Sequence, residues 1–303
     1  MKLSYLDDIF RLSHCYAHNE FAQLREEILA MKDSLTYYFE EDGEIWGYNI
    51  MRNEPVSKIY GFDVLVVRFV LSSVETLHDD HQEAIAKKLV KHLREEMEAG
   101  HAYYNVRVPA NIMDIYKTLN DELFDGLFCG GTVEYFIDGK PCEMPDDSAF
   151  RVFYPDNAYL TKNREKLSDV MYQAFKIYQG QYHISPVLED KAGEIYANWI
   201  AWHCDNFEEG RVLVTEYQGD PIGVFVITET DRAVELTLSG VSPDHRKIGA
   251  YSCMIATLVN RAYAHGKTFT TSTQLDNYVV QKKWISIGAR PYFTYYNVHY
   301  DFR

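Results

Sequence analysis

The sequence predicts an α/β (more narrowly α+β) protein with a mixed, mostly antiparallel sheet and helices on both faces. The first observation is the order of patterns in the second half, where antiparallel strands are followed by strand–helix–strand crossovers. The second is a segment rich in proline and acidic residues at 138–148, after which the pattern restarts. We therefore expect two domains, at residues 1–145 and 146–303.

The first domain is expected to be a sparse α/β unit. Apolar residues at helical spacing predict a helical extension over residues 1–40. The apolar, β-branched run 60–72 predicts a buried strand. An apolar stripe predicts a helix at 81–99, which Gly100 ends. The remaining elements expected here are a strand at 103–108, a helix at 112–119 and a strand at 131–137.

The second domain is expected to hold more elements, because alternating and helical patterns follow one another closely after residue 150. Strands are expected at 151–154, 211–218, 222–229, 233–241, 268–275 and 292–300. Helices are expected at 160–178, 189–203, 246–265 and 278–287.

Composition excludes several classes of function. A net charge of −15 argues against a general binder of nucleic acid or anionic membrane, since both need clustered positive charge. Five scattered cysteines predict free thiols and a cytoplasmic location. We expect no targeting signal and no membrane span, because the start is charged and no apolar stretch of about 20 residues occurs. We expect no metal, and interpret His78-Asp79-Asp80-His81 as a polar helix entry.

The segment from Val241 to Tyr251 is the most informative about function. An apolar strand pattern ends in Ser-Pro-Asp, and a turn with Arg246, Lys247 and Gly249 leads directly into a helical pattern. The first backbone N–H groups of a helix have no internal partners and lie at the positive end of its dipole. A basic, glycine-containing turn at that point predicts a site for a phosphate-bearing ligand.

The turn resembles the Arg-x-x-Gly-x-Gly/Ala motif of the GNAT family of acyl-CoA N-acyltransferases. Arg246 and Gly249 match, and Tyr251 stands where a small residue is usual. This points to the family's branch of dTDP-fucosamine acetyltransferases, which modify amino sugars for surface polysaccharides. The resemblance spans roughly residues 45–303 and is strongest after 170. Further similar segments are Tyr60-Gly61-Phe62, Phe175 to Ser185 with Tyr196 and Trp199, Arg261 to Thr268, Thr273 to Asn277, Lys282-Lys283-Trp284 and Gly288-Ala289.

This resemblance implies a GNAT fold after a degenerate GNAT-like first domain, with acetyl-CoA as acyl donor. It implies that the amides of the turn hold the CoA pyrophosphate, that the thioester carbonyl lies near Gly240 and Val241, and that Asn277 reaches the pantetheine arm. The implied cofactor-binding residues are Gly240, Val241, Arg246, Lys247, Ile248, Gly249, Ala250, Tyr251, Asn277 and Trp284.

The resemblance also assigns catalytic roles. Trp284 stands where the family often has a tyrosine that protonates the thiolate, so Tyr278 or Tyr296 is expected to replace it, with Tyr278 preferred. Glu235 is the candidate base, acting through water; the alternative is a solvent-facing strand residue. Tyr182 and His183 are expected to contact the acceptor, although a histidine beside aromatic residues is often a packing residue.

The expected function is transfer of an acetyl group from acetyl-CoA to a primary amine, with a nucleotide-linked amino sugar as the acceptor. One alternative is a protein, peptide or polyamine acceptor, which the negative charge would suit. Another is a degenerate module that binds CoA without catalysis. The expected partners are acetyl-CoA and a small amine, with no nucleic acid or membrane, and a homodimer stays open.

Overall fold

The structure is a computed structural model that describes residues 35–41, 44–71, 80–110, 113–123, 125–137, 140–144, 150–176, 178 and 180–303. The strands are β1 (Tyr37–Glu41), β2 (Glu44–Arg52), β3 (Val64–Leu71), β4 (Tyr103–Pro109), β5 (Leu127–Ile137), β6 (Phe150–Phe153), β7 (Val212–Tyr217), β8 (Asp220–Glu229), β9 (Ala233–Val241), β10 (Thr268–Gln274) and β11 (Arg290–Asp301). The helices are α1 (Glu54–Tyr60), α2 (Asp80–Gly100), α3 (Met113–Glu122), α4 (Asn157–Phe175), α5 (Gln181–Ile184), α6 (Ala192–Asp205), α7 (Ala250–Ala264) and α8 (Tyr278–Ser286). Single 3₁₀ turns lie at Glu189–Lys191 and Pro243–His245.

Backbone contacts divide the chain into two compact units. The first unit is Met1–Glu134 with Tyr292–Arg303, and the second unit is Tyr135–Pro291. The end of the chain belongs to the first unit because β11 pairs antiparallel with β4 from Tyr295 to Asp301. The expected domain boundary between residues 145 and 146 stays a prediction; the compact units divide at Glu134 and again before Tyr292.

The first unit is a sheet with a large apolar cluster on one face. Strand β2 pairs antiparallel with β1 and β3, and β3 pairs parallel with β4. Alternate strand residues point to one face of a sheet, and these pack on the apolar stripe of α2. The helix expected at 81–99 is confirmed, and its buried residues include Ile85, Leu89, Val90 and Leu93.

Two expectations for the first unit are wrong in part. The helical extension was expected to reach residue 40, but Tyr37–Glu41 is strand β1, because it forms a hairpin with β2. Residues 1–34 lie outside the described residues. The strand expected from residue 60 begins at Val64, since helix α1 precedes it: the Asn53 side chain caps its first turn, and Gly61, at φ 74°, ends it.

The second unit has helices on both faces of its sheet, as expected. Strands β6 to β9 pair antiparallel in order, and β9 pairs parallel with β10. Gly223 lies opposite Val241, and a side chain at Gly223 would meet Met254 of α7. Gly240 faces the other way, where a side chain would meet Met171 of α4. The two helices therefore cover opposite faces of β8 and β9.

The expected helix ends shift where the backbone leaves the helical region. The helix expected from Arg246 begins at Ala250, because Lys247 and Gly249 have φ of 69° and 99°. The helix expected to reach residue 178 ends at Phe175, and the one expected at 189–203 is a 3₁₀ turn followed by α6. The other expected strands and helices of this unit are present within a few residues.

Three broader expectations concern cysteines, membranes and metals. Cys129, Cys142, Cys204 and Cys253 are free thiols, as expected, and Cys15 lies outside the described residues. Over the ranges that the structure describes, no helix combines the length and apolar character needed to span a bilayer. His78 and Asp79 lie outside the described residues, so the absence of a metal there stays a prediction.

Candidate active site

Strands β9 and β10 separate from each other part-way along their length. Their parallel pairing runs from Ala233 with Thr268 to Leu236 with Thr271 and ends there. Beyond that point residues 238–241 remain paired with β8 alone. The β10-facing backbone groups of this segment therefore lie outside the ladder, which opens a gap between the two strands within the second unit.

A bulge lies at the point of separation. Val226 pairs with Leu238 and Ile227 with Leu236, so Thr237 is the extra residue on β9. The Thr237 hydroxyl donates to the Val226 carbonyl at 3.1 Å, which fixes the bulge. Bulges bend a strand and interrupt its pairing, which accounts for the departure of β9 from β10.

The backbone of β9 presents N–H groups to this gap. The Ser242 N–H donates to the Ile222 carbonyl of β8 at 2.8 Å. Because the side on which a residue's N–H points alternates along a strand, the Gly240 N–H also faces β8, whereas those of Ser239 and Val241 face the gap. The gap therefore has hydrogen-bond donors that a carbonyl oxygen can use.

The turn between β9 and α7 forms a second set of donors. Lys247 and Gly249 both have positive φ, and Gly249 is the N-cap residue of α7 without a side-chain cap. Within the described part of the chain, the N–H groups of Ile248, Gly249, Ala250 and Tyr251 have no hydrogen-bond partner. Consecutive free N–H groups at a helix start form a concave anion site.

The basic side chains of the turn are exposed beside these donors. Arg246 and Lys247 are both exposed, and the Arg246 guanidinium lies 3.5 Å from the carbonyl oxygen of Ala174 at the end of α4. Ile248 is 40% exposed. The turn thus combines unpaired N–H groups, the positive end of the α7 dipole and two cations, which suits a phosphate-bearing ligand.

Tyr251 points back from the turn to the strands. Its hydroxyl accepts a hydrogen bond from the Trp284 indole N–H at 3.1 Å and is also hydrogen-bonded to the Ser239 side chain. Its ring packs edge-on against Phe225, with 5.2 Å between the centroids. Burial raises the pKa of Tyr251 to about 12 despite the hydrogen bonds from Ser239 and Trp284, which lower it. The hydroxyl is therefore protonated at neutral pH.

Trp284 and Asn277 have neighbours that sequence patterns did not indicate. Trp284 is 2% exposed, and its ring packs edge-on against Tyr135. The Asn277 side-chain nitrogen donates to the Thr273 hydroxyl at 2.9 Å, and Tyr178 is hydrogen-bonded to both. Binding of a cofactor by Trp284 and Asn277 stays a prediction, and the Trp284 indole N–H already donates to Tyr251.

The proposed acid–base residues lie in different surroundings. Glu235 is 8% exposed on β9, so the alternative of a solvent-facing strand residue is wrong. Tyr278, at the start of α8, is 73% exposed. Tyr296 belongs to the first unit and packs on Tyr116 and Phe128. The roles of Glu235 and Tyr278 stay predictions.

The residues expected to contact an acceptor lie in α5. Tyr182 is buried and packs edge-on against Tyr196, which stacks on Phe175 at 3.8 Å between centroids. His183 is half-buried; its Nδ1 has no hydrogen-bond partner within the described residues, and burial lowers its pKa. Burial therefore favours the neutral imidazole of His183.

Sequence patterns missed three residues of this region. Ser239 and Thr237 lie in an ordinary alternating strand pattern, and nothing in that pattern marks a bulge. Tyr178 was expected to end a helix, but the helix ends before it and the side chain reaches Asn277. The only sequence signal for Ser239 was its position directly before Gly240.

No protein-family model matches the sequence, and no curated protein matches it. Among solved structures, the chain is similar to a GCN5-related N-acetyltransferase (GNAT) from Sphaerobacter thermophilus, with a TM-score of 0.56, 11% identity and coverage of 86% of this chain and 77% of that chain. A GCN5-related N-acetyltransferase from Kribbella flavida gives a TM-score of 0.54, 10% identity and coverage of 93% and 96%. The chain has a GNAT fold.

One further solved structure is similar to most of the chain. A functionally unknown conserved protein from Staphylococcus epidermidis gives a TM-score of 0.55, 15% identity and coverage of 89% of this chain and 97% of that chain. At such identities the similarity concerns the fold alone. The GNAT fold expected from the turn at Arg246–Tyr251 is thus confirmed, while chemistry has to be argued from the site.

Proposed function

We propose that this protein is an acyltransferase that moves an acetyl group from acetyl-CoA to a primary amine. The observation that carries the proposal is the gap between β9 and β10 beside the free N–H groups of the turn that starts α7. The turn suits the pyrophosphate of CoA, and the gap suits its thioester carbonyl. The GNAT fold of structures that are themselves N-acetyltransferases supports the same assignment.

The turn has the features needed to hold a pyrophosphate. Four successive N–H groups from Ile248 to Tyr251 would donate to its oxygens, and Arg246 and Lys247 would neutralise its charge. Positive φ at Lys247 and Gly249 suits a concave arrangement of successive N–H groups. The residues present therefore fit acetyl-CoA as donor.

The gap would polarise the thioester. The Val241 N–H faces the gap, and a hydrogen bond from it to the thioester oxygen would stabilise the negative charge that develops there during attack. The amine lone pair would attack the carbonyl carbon and form the new C–N bond, and the C–S bond would break with its electron pair on sulfur. Glu235 is our candidate for accepting the amine proton through water.

For the acceptor we propose a nucleotide-linked amino sugar. The tyrosine-rich region from Phe175 to Tyr196 supports this choice, because tyrosine combines a ring face for packing on a sugar with a hydroxyl for hydrogen bonding. A polyamine or basic peptide is the second candidate. The net charge of −15 favours it, since a negative protein attracts cations.

Thermal melting with acetyl-CoA, CoA and ADP tests donor binding. We expect both CoA compounds to raise the melting temperature more than ADP at equal concentration, because only they reach the gap. The double variant Arg246→Ala/Gly249→Asp should lose this stabilisation. Two matched controls should keep it: Lys162→Ala, an exposed cation on α4, and Gly219→Asp, at φ 87° in the β7–β8 turn.

Absence of any CoA-specific stabilisation in the wild-type protein would overturn the donor assignment. Equal loss in Gly219→Asp and in the double variant Arg246→Ala/Gly249→Asp would do the same, because backbone strain alone would then explain the effect. The acceptor is decided by thiol release from acetyl-CoA with dTDP- and UDP-linked amino sugars, spermidine and a lysine-rich peptide. Turnover of spermidine or peptide alone would overturn the amino-sugar proposal.

A further inference from the structure

Tyr251, Ser239 and Trp284 form a hydrogen-bonded group in which one of the two hydroxyl protons is not used within the group. An indole N–H can only donate, so Trp284 uses a lone pair of the Tyr251 hydroxyl at 3.1 Å. Tyr251 and Ser239 are hydrogen-bonded to each other, which uses one of their two hydroxyl protons. Within the described residues neither hydroxyl has a second acceptor, so the other proton is free to be donated elsewhere.

This group lies beside the gap between β9 and β10. Ser239 belongs to the segment 238–241, which pairs with β8 but not with β10. Tyr251 belongs to the turn that starts α7 and reaches Ser239 on the face of the sheet that α7 covers. If acetyl-CoA is held with its phosphates on the turn and its thioester carbonyl in the gap, the thioester sulfur would lie close to these hydroxyls.

We propose that the Tyr251–Ser239 hydroxyl pair donates the proton to the leaving sulfur, with Trp284 as the positioning residue. This rests on the proposed function and names the acid for it. This role would explain why residue 251 is a tyrosine, where a glycine or alanine would otherwise suffice. It would also explain how position 284 can be a tryptophan, although the family often has the thiolate-protonating tyrosine there. The exposed Tyr278 then has no part in this step.

The step balances as follows. As the C–S bond breaks, its electron pair moves to sulfur, and the spare hydroxyl proton moves to the same sulfur to give the free thiol. The hydroxyl pair is left with one negative charge, which the Trp284 N–H stabilises by hydrogen bonding. The proton that the amine loses on forming the amide is accepted by Glu235 through water, and its later passage to the hydroxyl pair restores that pair. The products are the amide and CoA, and no oxidant or reductant takes part.

Burial keeps the hydroxyl pair protonated before the reaction. It raises the pKa of Tyr251 to about 12, so the pair holds both protons at neutral pH. Phe225, which is fully buried, packs against the Tyr251 ring and fixes its orientation. A tyrosine held in this way loses little freedom when it donates, which favours catalysis.

The binding of CoA and of desulfo-CoA, measured by isothermal titration calorimetry at about pH 7 and pH 9.5, tests the proposal without needing an acceptor. A donor beside the sulfur lowers the pKa of the bound thiol, so CoA should gain affinity over desulfo-CoA as pH rises. We expect a gain of roughly tenfold in wild type, for a shift of about one pKa unit. Tyr251→Phe should reduce the gain, and Tyr251→Phe/Ser239→Ala should abolish it.

Tyr263→Phe is the matched control, because Tyr263 is 51% exposed near the other end of α7, and it should keep the wild-type gain. A purely structural role for Tyr251 would weaken CoA and desulfo-CoA equally and leave their ratio unchanged, which would overturn the proposal alone. Failure of the wild-type protein to bind CoA at all would overturn the proposed function and this assignment with it.

Discussion

Three basic side chains converge on Glu229 near the C-terminal end of α7. Arg261 Nη2 lies 2.5 Å from Oε2, and His265 Nδ1 and Lys267 Nζ lie 2.7 and 2.8 Å from Oε1. Burial alone would raise the pKa of Glu229, but hydrogen bonds from Lys267 and His265 and the charge of Arg261 lower it to about 2. The ionised carboxylate therefore ties the end of α7 and the start of β10 to β8.

Replacing Glu229 with Gln should destabilise the protein at pH 7 by on the order of 2 to 3 kcal/mol, because Arg261, Lys267 and His265 lose their shared ionised partner. The pKa of Glu229 is lower in the folded protein than in the unfolded chain. Its contribution is therefore complete above about pH 5 and is lost as pH falls toward about 2. Urea unfolding of both proteins between those pH values measures this difference.

Glu209→Gln is the matched control, since Glu209 is exposed, and it should change the free energy of unfolding by less than about 0.5 kcal/mol. If the difference in free energy of unfolding between wild type and Glu229→Gln stays constant down to pH 2, that result would contradict the account of this cluster.

Sequence patterns identified some site residues and not others, for a physical reason. Arg246 and Gly249 are recognisable because a phosphate site at a helix start is formed by residues that are neighbours in the sequence. The contacts of Tyr251 with Ser239 and Trp284 join residues that are 12 and 33 positions apart in the chain. Such contacts depend on packing, which periodicity does not encode.

The packing of α4 on β9 depends on a missing side chain. A Cβ on Gly240 would lie 2.4 Å from Met171 Sδ and 3.4 Å from Ala174 Cβ. Two helix residues therefore approach the strand where it faces the gap. Where a helix comes this close to a strand, only glycine fits without rearrangement.

We expect Gly240→Ala to lower the free energy of unfolding by about 1 to 3 kcal/mol, because Met171 must move. In the Met171→Ala background, the same substitution should cost clearly less, since the space is then open. A double-mutant cycle by urea unfolding measures this coupling. Equal costs in both backgrounds would show that Met171 does not limit the space at Gly240.

Element boundaries show where local patterns are overruled. The helix pattern over residues 37–40 gives way to β1, since pairing with β2 satisfies the backbone of a hairpin whose side chains pack on α2. Helix α1 was missed because it is seven residues long, too short for periodicity to reveal. The signals that remained were its caps, Asn53 and Gly61.

At the scale of the whole molecule, the order of strands and helices was largely predictable, because long buried strands and amphipathic helices carry strong periodic patterns. The place of the last strand was not. Residues 292–300 were expected to complete the second domain, yet β11 pairs with β4 of the first unit. Its alternating sequence fits either position, since a strand pattern specifies which residues face inward and not which strand lies beside it.

The central claim is that the start of α7 holds the phosphates of CoA. Hydrogen–deuterium exchange of the amides from Ile248 to Tyr251, with and without saturating CoA, tests it most directly. Because these N–H groups have no partner within the described part of the chain, we expect fast exchange without ligand and clear slowing with CoA. Unchanged exchange at these four amides under saturating CoA would contradict the account.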